Sequence, residues 1–243
     1  MGEDDAKSRL RRVIGDAGVD RLDGACVAVF GIGGVGSNCA EALVRGGVGT
    51  LIAVDRDCVS ESNINRQAVA YLSTVGRPKV EVMAALAREI NPEAQVITRE
   101  AFVLDDVSSV LDGAPRPDYI VDAVDTVAAK IALAQYAQEE GIPLIAAMGG
   151  ANKVDPTKLA FADLFETSNC PLCRAMRKRA RAAGVKRLPV LYSSEQPVEV
   201  REAEGAERRE RTELGTMSYM PPIMGQMLAG RVICDLLAGI DPF

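Results

Sequence analysis

The chain has 243 residues, a formal net charge of -6, 48% hydrophobic residues, six cysteines, and neither tryptophan nor histidine. Without imidazole there is no Ser-His-Asp or Cys-His nucleophile, no His-ligated zinc and no histidine acid or base near neutral pH. Catalysis falls to carboxylates, Lys, Arg, Cys, backbone N–H groups or a metal held by oxygen, and the length suits one domain with a sizeable core.

The segment up to Asp5 is acidic and polar, unlike a signal peptide, and Asp5 to Leu22 reads as an N-terminal helical segment carrying Arg9, Arg11, Arg12 and Arg21. From Cys26, short runs rich in Val and Ile (26–30, 50–54, 95–98, 119–121 and 143–147) alternate with longer patterns of helical spacing. Those patterns cover Ser37 to Arg45, Lys79 to Ile90 and Thr126 to Glu140. Continuously apolar strands separated by helices imply a parallel sheet covered on both faces, so the fold class is α/β, doubly wound and Rossmann-like. After Gly149-Gly150 the rhythm changes. Strands are expected over 158–162 and 188–192 and a helix over 171–183, followed by a charged, exposed crossover over 199–213 and a closing helix from Pro221-Pro222. The expected organisation is a single domain: an N-terminal segment (1–24), a nucleotide-binding core (25–150) and a C-terminal elaboration (151–243). Arg231 and Asp235 interrupt the most apolar segment, 222–237, which argues for a packed helix and against a membrane span. A cytoplasmic protein with reduced thiols is expected.

Gly31-Ile32-Gly33-Gly34-Val35-Gly36 follows the first strand and opens a helix, so Gly31, Gly33, Gly34 and Gly36 are expected to bring backbone N–H groups close to a nucleotide phosphate. Asp55 ends the second strand, where a carboxylate accepts ribose hydroxyls. These features alone fit a dinucleotide-dependent oxidoreductase, or a nucleotide-binding scaffold without activity. The following residues separate the readings. Asp57, Asn63, Asn65 and Arg66 lie just beyond the ribose position, and Lys79 heads the next helix. A triphosphate that loses pyrophosphate needs such cations, whereas a dinucleotide is held largely by backbone, so the set favours ATP. Asp122 and Asp125 flank the end of another strand, where a carboxylate holds Mg²⁺ between phosphate oxygens or, alternatively, caps the helix near Thr126. Read singly, Arg66 and Lys79 are also compatible with solvated surface charges.

Gly31 to Gly36, Asp55, the run Ser62-Asn63-Ile64-Asn65-Arg66-Gln67, Gly76-Arg77-Pro78-Lys79 and Asp122 to Asp125 together resemble the adenylation core of the ubiquitin-activating enzyme superfamily. The resemblance implies that Asp55 contacts ribose, that Arg66 and Lys79 contact phosphates, and that Asp125 binds Mg²⁺. It also implies a homodimer, because Arg9 matches an arginine that reaches ATP from the partner subunit.

The C-terminal third separates the subfamilies. Asp155-Pro156-Thr157-Lys158, 163–167, Cys170-Pro171-Leu172 with its basic helix, and 191–195 are similar to the tRNA threonylcarbamoyladenosine dehydratases. Those enzymes use ATP to cyclise N6-threonylcarbamoyladenosine in tRNA. The implied route is adenylation of the threonyl carboxylate and closure by a group of the same base, where proximity replaces an enzyme nucleophile. The alternative is an adenylyltransferase that activates the C-terminus of a small ubiquitin-like sulfur carrier. Carrier activators often hold zinc with two Cys-x-x-Cys pairs; Cys170 and Cys173 are one pair only, so zinc is not expected. Seven Lys or Arg residues and no acid lie in 174–187, a candidate grip on tRNA phosphates or an ordinary solvated face. Met217, Met220, Met224 and Met227 at helical spacing suggest core or dimer packing. The resemblance leaves open a monovalent cation, a sulfur-relay protein partner, and any role for Tyr192 or Glu195.

Overall fold

The computed structural model describes residues 5–102, 106–199 and 214–240. Five parallel strands form the first part of the sheet: β1 (Cys26–Phe30), β2 (Thr50–Val54), β3 (Gln95–Arg99), β4 (Tyr119–Asp122) and β5 (Leu144–Ala147). Two more follow from the C-terminal third, β6 (Leu159–Asp163) and β7 (Pro189–Ser193). The order is β3-β2-β1-β4-β5-β7-β6, and only β6 runs antiparallel, against β7. Parallel register pairs Cys26 with Thr50 and Phe30 with both Val54 and Asp122, so β1, β2 and β4 end level with one another. Order reverses at β1, between β2 and β4, and the crevice beyond those strand ends is where such sheets bind ligands.

The helices are α1 (Ser8–Asp23), α2 (Gly34–Arg45), α3 (Lys79–Ile90), α4 (Val107–Leu111), α5 (Val127–Glu140), α6 (Pro171–Ala182) and α7 (Met220–Leu236). Strands that look uniformly apolar in sequence still serve two cores, because alternate side chains point to opposite faces. Val27, Val29, Leu51 and Ala53 pack with Leu43, Met83 and Leu228 from α2, α3 and α7. Ala28, Phe30, Ile52 and Val54 pack with Leu133 and Met176 from α5 and α6 on the other face. Met220 and Met224 are fully buried, which gives that part of the methionine stripe a core role, while Met217 is exposed.

Most expected elements fall within a residue or two of the observed ones. One difference matters: α2 starts at Gly34 instead of near Ser37. Glycine content masks the helix start in sequence, yet Gly33 occupies the extended N-cap position and the loop glycines themselves form the first turn. The short α4 also escaped sequence reasoning. Of the crossover expected over 199–213, residues 200–213 lie outside the described residues.

Candidate active site

A cleft of about 450 Å³ opens beyond β1, β2 and β4. Its floor is the glycine loop. Gly31 has φ +88°, and a Cβ there would stand 2.7 Å from the Ala123 carbonyl oxygen, so both its backbone conformation and its surroundings require glycine. A Cβ on Gly33 would meet nothing within 4 Å, so the backbone there faces the open cleft. Gly36 differs from both and does not border the cleft. Its Cβ would lie 1.7 Å from the Gly31 carbonyl oxygen, so it is glycine to let α2 pack onto the end of β1. No side chain caps α2, whose first-turn N–H groups and dipole suit an anion.

Asp55 bridges two loops: one carboxylate oxygen accepts the Ile32 N–H at 2.6 Å and the other accepts the Asp57 N–H at 2.8 Å. Lys79, only 6% exposed, lies 3.0 Å from Asp57 and 4.0 Å from Asp55. Arg66 donates to the Ser62 carbonyl at 2.9 Å and to Asn65 Oδ1 at 2.8 Å, which fixes its guanidinium at the cleft. Asn63 lines the cleft, but its Oδ1 accepts the Ser60 N–H, so part of its work is to cap a short 3-10 turn. Arg66 and Lys79 are therefore held in place, not free surface charges.

Asp122 and Asp125 separate sharply. Asp125 is exposed on the cleft, where Thr126 donates to one oxygen at 3.2 Å. Thr126, not Asp125, holds the N-cap position of α5, and no side chain caps that helix. Asp122 is fully buried beneath the cleft and does not line it. Lys130, equally buried, donates to Asp122 at 3.0 Å and to the Ala147 carbonyl at 2.7 Å. Burial pushes the Asp122 pKa up and the Lys130 ammonium pulls against it. The expectation that Asp122 binds the nucleotide is corrected to a buried ion pair that ties β4, α5 and β5 together. Arg9 is exposed on α1 and does not line the cleft of its own chain.

A family model described as the ThiF family matches residues 6–241. The chain belongs to the ThiF family. It is 39% identical over 243 residues to the tRNA threonylcarbamoyladenosine dehydratase of Bacillus subtilis, covering 96% of this chain and 95% of that protein. Among solved structures, it is similar to the Escherichia coli tRNA N6-threonylcarbamoyladenosine dehydratase TcdA in complex with AMP, with a TM-score of 0.83 and 31% identity over 94% of this chain and 92% of that one. The same enzyme in complex with ATP gives 0.82 and 29%, over 95% and 96%.

Several cleft residues of this ThiF-family chain escaped sequence reasoning. The Arg56 guanidinium stacks 3.9 Å above the Phe102 ring, and both line the cleft; 46 positions separate them, so no local pattern reveals the pair. Gln67 is 8% exposed and its Oε1 has no hydrogen-bond partner although it borders the cleft. It closes the Asn63-to-Gln67 run, a signal that was available. Gly150, Ala151, Thr216 and Pro221 bring the C-terminal third to the same opening.

Proposed function

We propose that this protein is an ATP-dependent tRNA threonylcarbamoyladenosine dehydratase that works through an acyl-adenylate. The observation that carries this reading is the continuity of the likeness: 39% identity to the Bacillus subtilis dehydratase extends over 96% of the chain, through the C-terminal third that separates the subfamilies. The cleft supports ATP on its own chemistry. An uncapped helix start meets an anion, Arg66 and Lys79 supply fixed positive charge, and the Gln67 Oε1 lacks a donor that a bound molecule would bring.

The threonyl carboxylate oxygen attacks the α-phosphorus of ATP, and the bond to pyrophosphate breaks with its electron pair leaving on pyrophosphate. Arg66 and Lys79 offset the charge that builds there. A group of the modified base then attacks the activated carbonyl carbon, AMP leaves, and the attacking group's proton passes to solvent. Tethering of that group supplies the proximity, so the lack of histidine is no obstacle. Asp125 fits a Mg²⁺ ligand: it is an exposed carboxylate on the cleft whose one protein hydrogen bond among the described residues comes from Thr126. When bound, Mg²⁺ would help neutralise phosphate charge.

The tRNA side of the reading rests on α6. Arg174, Lys178 and Arg181 are exposed at i, i+4 and i+7 on one face of that helix, a geometry that suits a phosphate backbone. Arg177 instead donates to the Thr167 carbonyl at 2.8 Å and anchors the helix. The dimer reading rests on Arg9, exposed on α1 and free to reach a partner's cleft. The decisive experiment supplies ATP with tRNA carrying threonylcarbamoyladenosine, or with a small carrier protein ending in Gly-Gly, and measures AMP release. Release only with the modified tRNA supports the reading. Release only with the carrier overturns it in favour of an adenylyltransferase.

A further inference from the structure

Lys153 is a buried lysine that makes no ion pair among the described residues: burial lowers its pKa, and Cys170, the Glu195 carboxylate and Cys173 pull against that. Its side chain is 2% exposed, it follows the cleft residues Gly150 and Ala151 in the chain, and its ammonium donates to the Glu195 carbonyl. The Glu195 carboxylate is engaged elsewhere, accepting the Val154 and Asp155 N–H groups at 3.0 and 3.1 Å. A buried charge calls for a counter-charge. The acidic groups that Lys153 senses besides Glu195 are the thiols of Cys170 and Cys173.

Cys170 occupies the N-cap of α6, and its sulfur accepts the Cys173 N–H at 3.4 Å. Gly149 packs beside that sulfur and Leu172, since a Cβ on it would lie 3.9 Å from Cys170 Sγ and 3.7 Å from Leu172 Cβ. A helix N-terminus with a nearby ammonium favours the anionic form of the first sulfur. In agreement, the hydrogen bond from Cys173 and the surrounding N–H groups hold the Cys170 thiol below the usual range, while that same bond and burial push Cys173 up. Cys26 and Cys39 show the contrast: burial raises both, with no hydrogen bond to the sulfur among the causes. Cys170 keeps 4% exposure and Cys173 none, so an attacking sulfur stands outside a resolving one.

We propose that Cys170 and Cys173 are a dithiol–disulfide couple that small-molecule disulfides oxidise, and that this oxidation loosens the cleft wall at Gly149–Gly150. The Cys170 thiolate attacks one sulfur of the oxidant and expels the other as a thiolate, leaving a mixed disulfide. Cys173 then attacks Cys170 Sγ, its proton passing to the second departing thiolate. Two protein thiols are oxidised, and one disulfide is reduced to two thiols. Closure removes the Cys170 negative charge that Lys153 senses and re-aims the sulfur that packs against Gly149. Gly149 packs against the sulfur, since a Cβ there would lie 3.9 Å from Cys170 Sγ, and its neighbour Gly150 lines the cleft.

The second half of the proposal rests on the nucleotide reading of the cleft; the first half does not. The test incubates the whole protein in mixtures of oxidised and reduced glutathione, quenches with acid, alkylates free thiols and maps the peptides. ATP affinity is then measured for both forms. Oxidising mixtures should give a Cys170–Cys173 disulfide that reduced glutathione reverses, Cys173→Ser should trap glutathione on Cys170, and the oxidised form should bind ATP several-fold more weakly. Alkylation of Cys170 and Cys173 as free thiols in every mixture, while exposed Cys58 and Cys234 acquire glutathione, would overturn the couple. Equal ATP affinity with the disulfide in place would overturn its link to the cleft. A disulfide that forms while neither form binds ATP would overturn the nucleotide reading and that link together. If Cys173→Ser does not fold, the map of the unaltered protein decides.

Discussion

Two buried lysines, Lys79 in the cleft wall and Lys153 two residues beyond the cleft residue Ala151, are compensated in different ways. Lys79, beyond β2, lies between the carboxylates of Asp55 and Asp57. Lys153, beyond β5, donates to a carbonyl and senses Cys170, the Glu195 carboxylate and Cys173. The first lysine meets two carboxylates at ion-pair distance, whereas the second senses those three groups only electrostatically. In the first region fixed carboxylates hold the lysine, whereas in the second the proposed oxidation of the thiols changes what the lysine faces.

The largest expected effect breaks the cleft side. Asp125→Ala should lower pyrophosphate release by about a hundredfold or more, the scale of removing one preorganised electrostatic interaction, with the fold intact by circular dichroism. Retained turnover would show that Asp125 holds nothing the reaction needs. Below the cleft, Lys130→Met leaves Asp122 buried and unpaired and should cost about 3–5 kcal/mol in urea unfolding. Adding Asp122→Asn should recover much of it, and a double variant no better than the single would show that the two residues are not coupled.

The glycine loop gives a paired test of intermediate size. Gly36→Ala forces a methyl group into the Gly31 carbonyl and should lower stability by about 3 kcal/mol, whereas Gly33→Ala should unfold like the parent protein and bind ATP more weakly. Equal stability losses would place both glycines in packing. On α6, reversing the charges of Arg174, Lys178 and Arg181 should weaken tRNA binding and flatten its dependence on salt, by a slope of up to about 0.9 for each phosphate that is no longer neutralised. An unchanged slope would make α6 a solvated face.

The smallest effect lies on the Lys153 side. The Cys170 pKa is lowered in the fold, so its stabilisation is fully present above the unfolded thiol value and is lost as pH falls through the folded one. The groups that face it are Lys153, Cys173, Glu195 and, through Cys173, Arg177. The difference in unfolding free energy between the parent protein and Cys170→Ala should therefore shrink from about pH 9 to about pH 5, a window that spans the unfolded and folded thiol values. A difference that is flat over this range would mean that Cys170 stays a neutral thiol.

Much of the cleft was legible because its residues are local to strand ends. Gly31, Asp55, Lys79 and Asp125 each follow a Val- or Ile-rich run or head the next helix, Arg66 lies in the loop between β2 and α3, and level register brings the strand ends together. Arg56 with Phe102, and Gly150 with Thr216, were not legible, since each pair joins segments far apart in sequence. Asp122 was misread for a related reason: three residues from Asp125, it has the same chemistry and the same strand-end address, and only burial separates them.

The sequence by itself determined the class of this protein. Apolar periodicity and glycine punctuation specify a doubly wound sheet, and the absence of histidine directs the chemistry to carboxylates and cations. Tertiary structure decided which charges face solvent and which face one another. It sent Asp122 to Lys130, left Asp125 open, and brought Lys153 within electrostatic reach of Cys170. Ionisation and hydrogen bonding depend on the distance to groups from other elements and on the water excluded between them, and neither quantity is written in the order of residues along the chain.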